Sequence, residues 1–162
     1  MSDINIIAEP GTLDVTTTYT VNGPSELVFK AHTDPDLIPR WWGPRYLTTE
    51  IDKLEARPGG QWRFVQRDPD GNEYAFHGVY HDLASPGRIV QTFEYEGMPG
   101  HVVLEAMTLE EVDGRTKVTT HSVFQTLEAR DGMIASGMEV GIREGMERMN
   151  ELFAELRLKS QS

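Results

Sequence analysis

Glu105 is the carboxylate whose surroundings invite chemistry, because it interrupts the apolar run VVLEAMTL. A carboxyl withdrawn from water resists ionisation, so an inward Glu105 would serve as a general acid or as a hydrogen-bond anchor for a ligand. The run admits two registers. One places Val103, Glu105, Met107 and Leu109 inside, and the other places Val102, Leu104 and Ala106 inside and leaves Glu105 an ordinary surface acid. His77 and His81 are four residues apart, the spacing that chelates a metal on a helix. On a strand that spacing separates them by about 13 Å, too far for one ion to bridge, so no metal site is predicted. The chain has no cysteine, which removes disulfides, thiolate zinc sites, iron-sulfur centres and cysteine nucleophiles. The GxSxG elbow, the P-loop, HExxH and the dinucleotide GxGxxG are also absent, and no cofactor is called for.

The other chemistry on offer is apolar recognition. In QWRFVQR the bulky set Trp62 and Phe64 opposes Arg63, Val65 and Arg67, which makes the aromatic set inward. The same alternation selects Tyr74, Phe76, Gly78 and Tyr80 in EYAFHGVYHD, leaving His77 and His81 outward. It selects Ile89, Gln91, Phe93 and Tyr95 around IVQTFEY, and Val118, Thr120, Ser122 and Phe124 in the last strand. An aromatic face with a few polar groups suits a small-molecule pocket, although it equally suits a filled core. Gly137, Gly141 and Gly145 recur every fourth residue near the C-terminus, and each costs a helix interior about 1 kcal/mol relative to Ala. Close backbone approach to the sheet, or preserved open volume, would offset that loss. Met107, Met138, Met146 and Met149 add an adaptable apolar wall. The predicted ligand-binding set takes Trp62, Phe64, Phe76, Tyr80, Phe93 and Met107 from the sheet and Met138 and Ile142 from the last helix. Trp42 joins it at the cavity mouth, the alternative being that Trp41 and Trp42 both plug the end of the sheet.

The elements that must position these residues are readable from period and punctuation. LDVTTTYTV is a β-branched strand ending at Asn22-Gly23. Pro24 stands at a first helical position, with Leu27, Val28 and Ala31 as the apolar face of a short helix to about His32. A second short helix opens at Asp34-Pro35 and is stopped by Pro39 and Gly43-Pro44. From Tyr46 to Phe124 five turn signals divide six strands of a meander, the last being Asp113-Gly114. Asp131 to Leu158 then reads as one long amphipathic helix, with apolar residues at Ile134, Met138, Ile142, Met149, Leu152, Phe153 and Leu156. The predicted fold class is α+β. It is a curved antiparallel sheet of about seven strands around a long C-terminal helix, with two short helices between strands 1 and 2, the helix-grip arrangement.

With 162 residues, 38% of them hydrophobic, the chain suits one domain. Residues 1–13 form an N-terminal arm or edge addition, 14–158 the domain and 159–162 a tail. Fifteen basic against 26 acidic residues give a net charge of −11, which repels phosphate backbones and acidic lipid, so neither nucleic acid nor membrane is expected as a partner. MSDINIIAEPG lacks the basic start and apolar run of a secretory signal, and no stretch approaches the roughly 20 apolar residues of a membrane helix. The expected location is the cytoplasm, as monomer or homodimer.

The runs VFKAHTDPDLIPRWWGP, RPGGQWRF, DPDGNEYAFHGVYHDL and ASGMEVGIREGMERM resemble the START-like (SRPBCC) superfamily, and within it the activator of Hsp90 ATPase homologue 1-like family. The resemblance spans about Asp14 to Leu156. It implies a cavity between curved sheet and long helix, in a group that includes lipid and polyketide binders, cyclases, hormone receptors and chaperone-contacting domains. Three functions follow as expectations. The first is non-catalytic binding of a small hydrophobic or aromatic molecule, lipid- or polyketide-like. The second is a cyclase or hydrolase using Glu105 with Tyr80 or a histidine. The third is a stress-response co-chaperone contacting Hsp90, although the few residues ahead of the domain depart from the two-domain eukaryotic pattern.

Overall fold

The computed structural model describes residues 4–160; residues 1–3 of the predicted arm and 161–162 of the predicted tail lie outside them. Within the arm, β1 (Asn5–Ile7) pairs antiparallel with β2 (Asp14–Val21) and becomes the edge of the sheet. Strand β2 alternates half-buried and buried residues, so Val15, Thr17, Tyr19 and Val21 form one inward row. Helix α1 (Ser25–Thr33) begins after Pro24, which is extended and caps the helix instead of occupying its first position. The second short helix reduces to a 3-10 turn, Ile38–Arg40.

Six strands then run as a meander: β3 (Thr48–Leu54), β4 (Gln61–Arg67), β5 (Glu73–Ala84), β6 (Arg88–Tyr95), β7 (Val102–Val112) and β8 (Arg115–Val123). The order is β1-β2-β8-β7-β6-β5-β4-β3, antiparallel at every step, and the eighth strand beyond the expected seven is β1. Asp113 (φ 54°) and Gly114 (φ 78°) give the tight β7–β8 reversal the left-handed conformation it requires. Irregular register between Tyr80 and Asp82, and between Ile51 and Lys53, bends the sheet where β5 and β3 meet their neighbours.

The C-terminal helical region corrects the expectation of one helix over Asp131–Leu158. It is two helices, α2 (Leu127–Ala135) and α3 (Met138–Ser160). Thr126 caps α2 by accepting from the Ala129 amide at 3.0 Å, and Gly137 ends the run at φ 97°. A left-handed residue cannot continue the ladder, so α3 restarts in a new direction. It buries Met146, Met149, Leu152 and Phe153 against Val21, Leu109 and Val118 of the sheet and Val28 and Ala31 of α1. A curved antiparallel sheet holding a long C-terminal helix is the helix-grip fold.

Candidate binding cavity

The interior holds three apolar clusters, and a cavity of about 220 Å³ draws its walls from all of them. Its floor is the inward face of β2, β8, β7 and β6, where antiparallel pairing lines residues up in transverse rows. Ser122, Glu105 and Gln91 make one row, and Thr17, Thr120, Met107 and Ile89 make the next. The roof is the first half of α3, through Met138, Gly141, Ile142, Gly145 and Met146.

The register left open by the sequence is resolved with Glu105 inward, beside buried Val103 and Leu109, while Leu104 on the other face is 45% exposed. Gln91 Nε2 donates to Glu105 Oε1 at 3.3 Å. Burial pushes the carboxyl up to about 7 against the opposing pull of that hydrogen bond. Tyr19 lines the same cavity, and burial together with the charge of Glu105 raises its hydroxyl to about 12.

His32, at the end of α1, is the second titratable group that sequence reasoning missed. Its Nδ1 lies 2.7 Å from the Val28 carbonyl, which only accepts, so the ring donates there and a neutral ring leaves Nε2 a bare acceptor. Nε2 is buried and has no partner among the described residues. Burial lowers the pKa to about 4, so the ring is neutral at pH 7. It packs on Trp41 at 4.6 Å, and Trp41 in turn donates its indole N–H to the Ala31 carbonyl at 2.7 Å. The segment carrying both tryptophans is held to α3 by Arg148, which donates to the carbonyls of Gly43 (3.0 Å), Pro44 (3.3 Å) and Pro39 (3.3 Å).

Of the predicted ligand-binding residues, Trp42, Phe93, Met107, Met138 and Ile142 meet at the cavity wall. Trp62, Phe64, Phe76 and Tyr80 do not: they face inward but belong to the aromatic cluster beside it. Trp42 meets Phe64 and Phe76 edge-on at 5.1 and 5.3 Å, and Trp62 meets Phe64 at 4.7 Å, so these rings fill the space toward β4. Alternation fixes which face a side chain takes but not how far along a bent sheet the void extends. Gln91, Thr120 and Ser122, read as inward, do line it, while Thr17 and Tyr19 were legible in the alternation of DVTTTYTV. The glycine stripe divides by position. A Cβ at Gly145 would meet the Trp41 carbonyl oxygen at 3.4 Å, whereas one at Gly141 would meet nothing within 4 Å.

His77 and His81 point away from the cavity. His77 Nδ1 lies 2.8 Å from Glu96, whose carboxyl Arg63 chiefly holds down at about 2. Among the described residues, no three His, Cys, Asp or Glu side chains gather where they could hold a metal ion, and no helix is long and apolar enough to cross a membrane.

Sheet, gripping helix and the partly open cavity between them define a helix-grip domain of the ligand-binding type. The family model described as activator of Hsp90 ATPase homolog 1-like protein matches residues 22–154, and the chain belongs to that family, within the START-like superfamily. A crystal structure of a Rhodobacter sphaeroides protein is 25% identical, with a TM-score of 0.86 over 94% of this chain and 99% of that one. Protein Ms6760 from Mycobacterium smegmatis is 21% identical, with a TM-score of 0.83 over 94% and 96%. An Arthrobacter aurescens protein solved by NMR is 23% identical, with a TM-score of 0.84 over 93% and 91%. No curated protein matches the chain.

Proposed function

We propose that the protein binds a small hydrophobic or aromatic molecule, lipid- or polyketide-like in character, between the sheet and α3, without transforming it. The observation that carries this reading is the cavity of about 220 Å³, walled by aromatic and methionine side chains and floored by one polar row and one mixed row. An apolar void of about 150 Å³ already accepts benzene, so this one has room for a substituted single ring or a short acyl chain. The flexible side chains of Met107, Met138 and Met146 would adjust its shape. The test is a panel of aromatic and acyl compounds scored by melting temperature and tryptophan fluorescence. Binders raise the melting temperature of the native chain, and Gly141→Phe, which fills the open space, abolishes the response. A flat response across the panel would remove the reading.

Acid-base catalysis of a cyclase or hydrolase type is a second reading, favoured by a cavity carboxyl that titrates near neutral pH. His32 shares that cavity and Tyr80 does not. Turnover lost in Glu105→Gln with folding intact supports it, and unchanged turnover removes Glu105 from the role. Contact with Hsp90 comes from the family description alone, and an Hsp90 ATPase assay with the purified chain tests it.

A further inference from the structure

We infer that the preferred ligand carries a compact cation, such as a protonated amine, next to its aromatic or short apolar body; this rests on the cavity-binding reading above. Three independent features of the wall point the same way. First, its charge is one-sided: among the described residues Glu105 is its sole acidic side chain, no Lys or Arg lines it, and the other titratable groups are Tyr19 and His32. A carboxylate-bearing ligand would meet Glu105 with no cation among the described lining residues to offset it, whereas an ammonium would complete the pair.

Second, the wall holds two acceptors that call for a donating partner, His32 and Glu105, beside the hydroxyls of Thr17, Thr120 and Ser122, which can accept as well as donate. Among the described residues His32 Nε2 is a buried acceptor without a partner, and the Glu105 carboxylate accepts one hydrogen bond, from Gln91, which leaves it capacity for more. A ligand head that donates several hydrogen bonds satisfies both acceptors, and one that only accepts leaves the two of them unmatched. Third, four aromatic rings line the same space, Tyr19, Trp41, Trp42 and Phe93. Ring faces attract cations, and the attraction strengthens out of water. The overall charge of −11 works in the same direction by raising the concentration of cations around the protein.

Three probes with the same ring and a two-carbon chain decide the matter: 2-phenylethylamine, 2-phenylethanol and phenylacetate. They are titrated at pH 8 into the native chain, Glu105→Gln and Gly141→Phe, with tryptophan fluorescence and melting temperature as readouts. The amine is expected to bind about tenfold more tightly than the alcohol, with phenylacetate weakest. In Glu105→Gln the amine and alcohol should converge while the alcohol still binds, and in Gly141→Phe both responses should vanish. Alcohol binding with the amine no tighter, or phenylacetate tightest, overturns the cation preference and leaves the cavity reading standing. Amine binding that survives Gly141→Phe lies on the acidic surface and likewise overturns it. Silence from all three probes overturns both. Should Glu105→Gln fail to fold, the ranking in the native chain and its loss in Gly141→Phe still decide.

Discussion

Glu105 keeps its proton in the folded chain at pH values where the unfolded chain has lost it, because burial in the cavity disfavours its charge and the hydrogen bond from Gln91 offsets only part of that. Its ordinary value is 4.5 and its folded value about 7, so the folded state binds more protons between those limits. The stabilisation is therefore complete below pH 4.5 and is lost as pH rises through 7, up to about 3 kcal/mol. His32 has the opposite sign. Unfolded it titrates near 6.5 and folded near 4, so its contribution is present above pH 6.5 and is lost as pH falls through 4. Glu105→Gln removes the first dependence and keeps the second. Relative to the native chain, the variant should gain about 3 kcal/mol between pH 4.5 and pH 8, measured by denaturant unfolding at both pH values. An unchanged difference between the two proteins across that range would mean that Glu105 titrates as a surface acid.

Among the elements, the glycines around the α2–α3 junction separate into distinct predicted outcomes. Gly137 sits at φ 97°, where any side chain is strained, so Gly137→Ala should destabilise by about 1–2 kcal/mol. Gly141 closes the first turn of α3 with nothing within 4 Å of an added methyl, so Gly141→Ala should stabilise by up to about 1 kcal/mol while narrowing the cavity. Thermal melts of the two variants should move in opposite directions. The glycine spacing was visible in the sequence, but its meaning was not: all three fit one helical period, and only the backbone at Gly137 breaks it. The strands were more legible because alternation is local. It placed Phe93, Gln91, Thr120 and Ser122 on the inner face without knowledge of the fold. Glu105 was ambiguous because apolar residues flank it on both alternations, and pairing with Gln91 and Ser122 decides what its neighbours in the chain cannot. His32 was unreadable as a cavity group, since nothing within α1 reports that its ring would lie against Trp41.

At the level of the whole molecule, arginines tie the segment from Pro39 to Arg45 onto α3. Arg40 pairs with Glu155 and Arg45 with Glu151, both at exposed positions where ion pairs contribute little. Arg148 differs because it is half-buried and serves three main-chain carbonyls. Arg148→Met keeps the aliphatic stem and leaves those carbonyls without their donor, for an expected loss of about 2 kcal/mol. Arg40→Met should change stability by less than about 1 kcal/mol. Urea unfolding separates the two, and greater acrylamide quenching of tryptophan in Arg148→Met would report the loosened segment.

Ser122, Glu105 and Gln91 sit side by side on three strands, yet no two of them are closer than 14 residues along the chain, as the Gln91–Glu105 spacing shows. A point mutation at any one therefore rewrites the chemistry of the chamber without altering a turn, a cap or a strand pairing. The lining of the chamber is in this sense an interchangeable insert in a scaffold that does not depend on it.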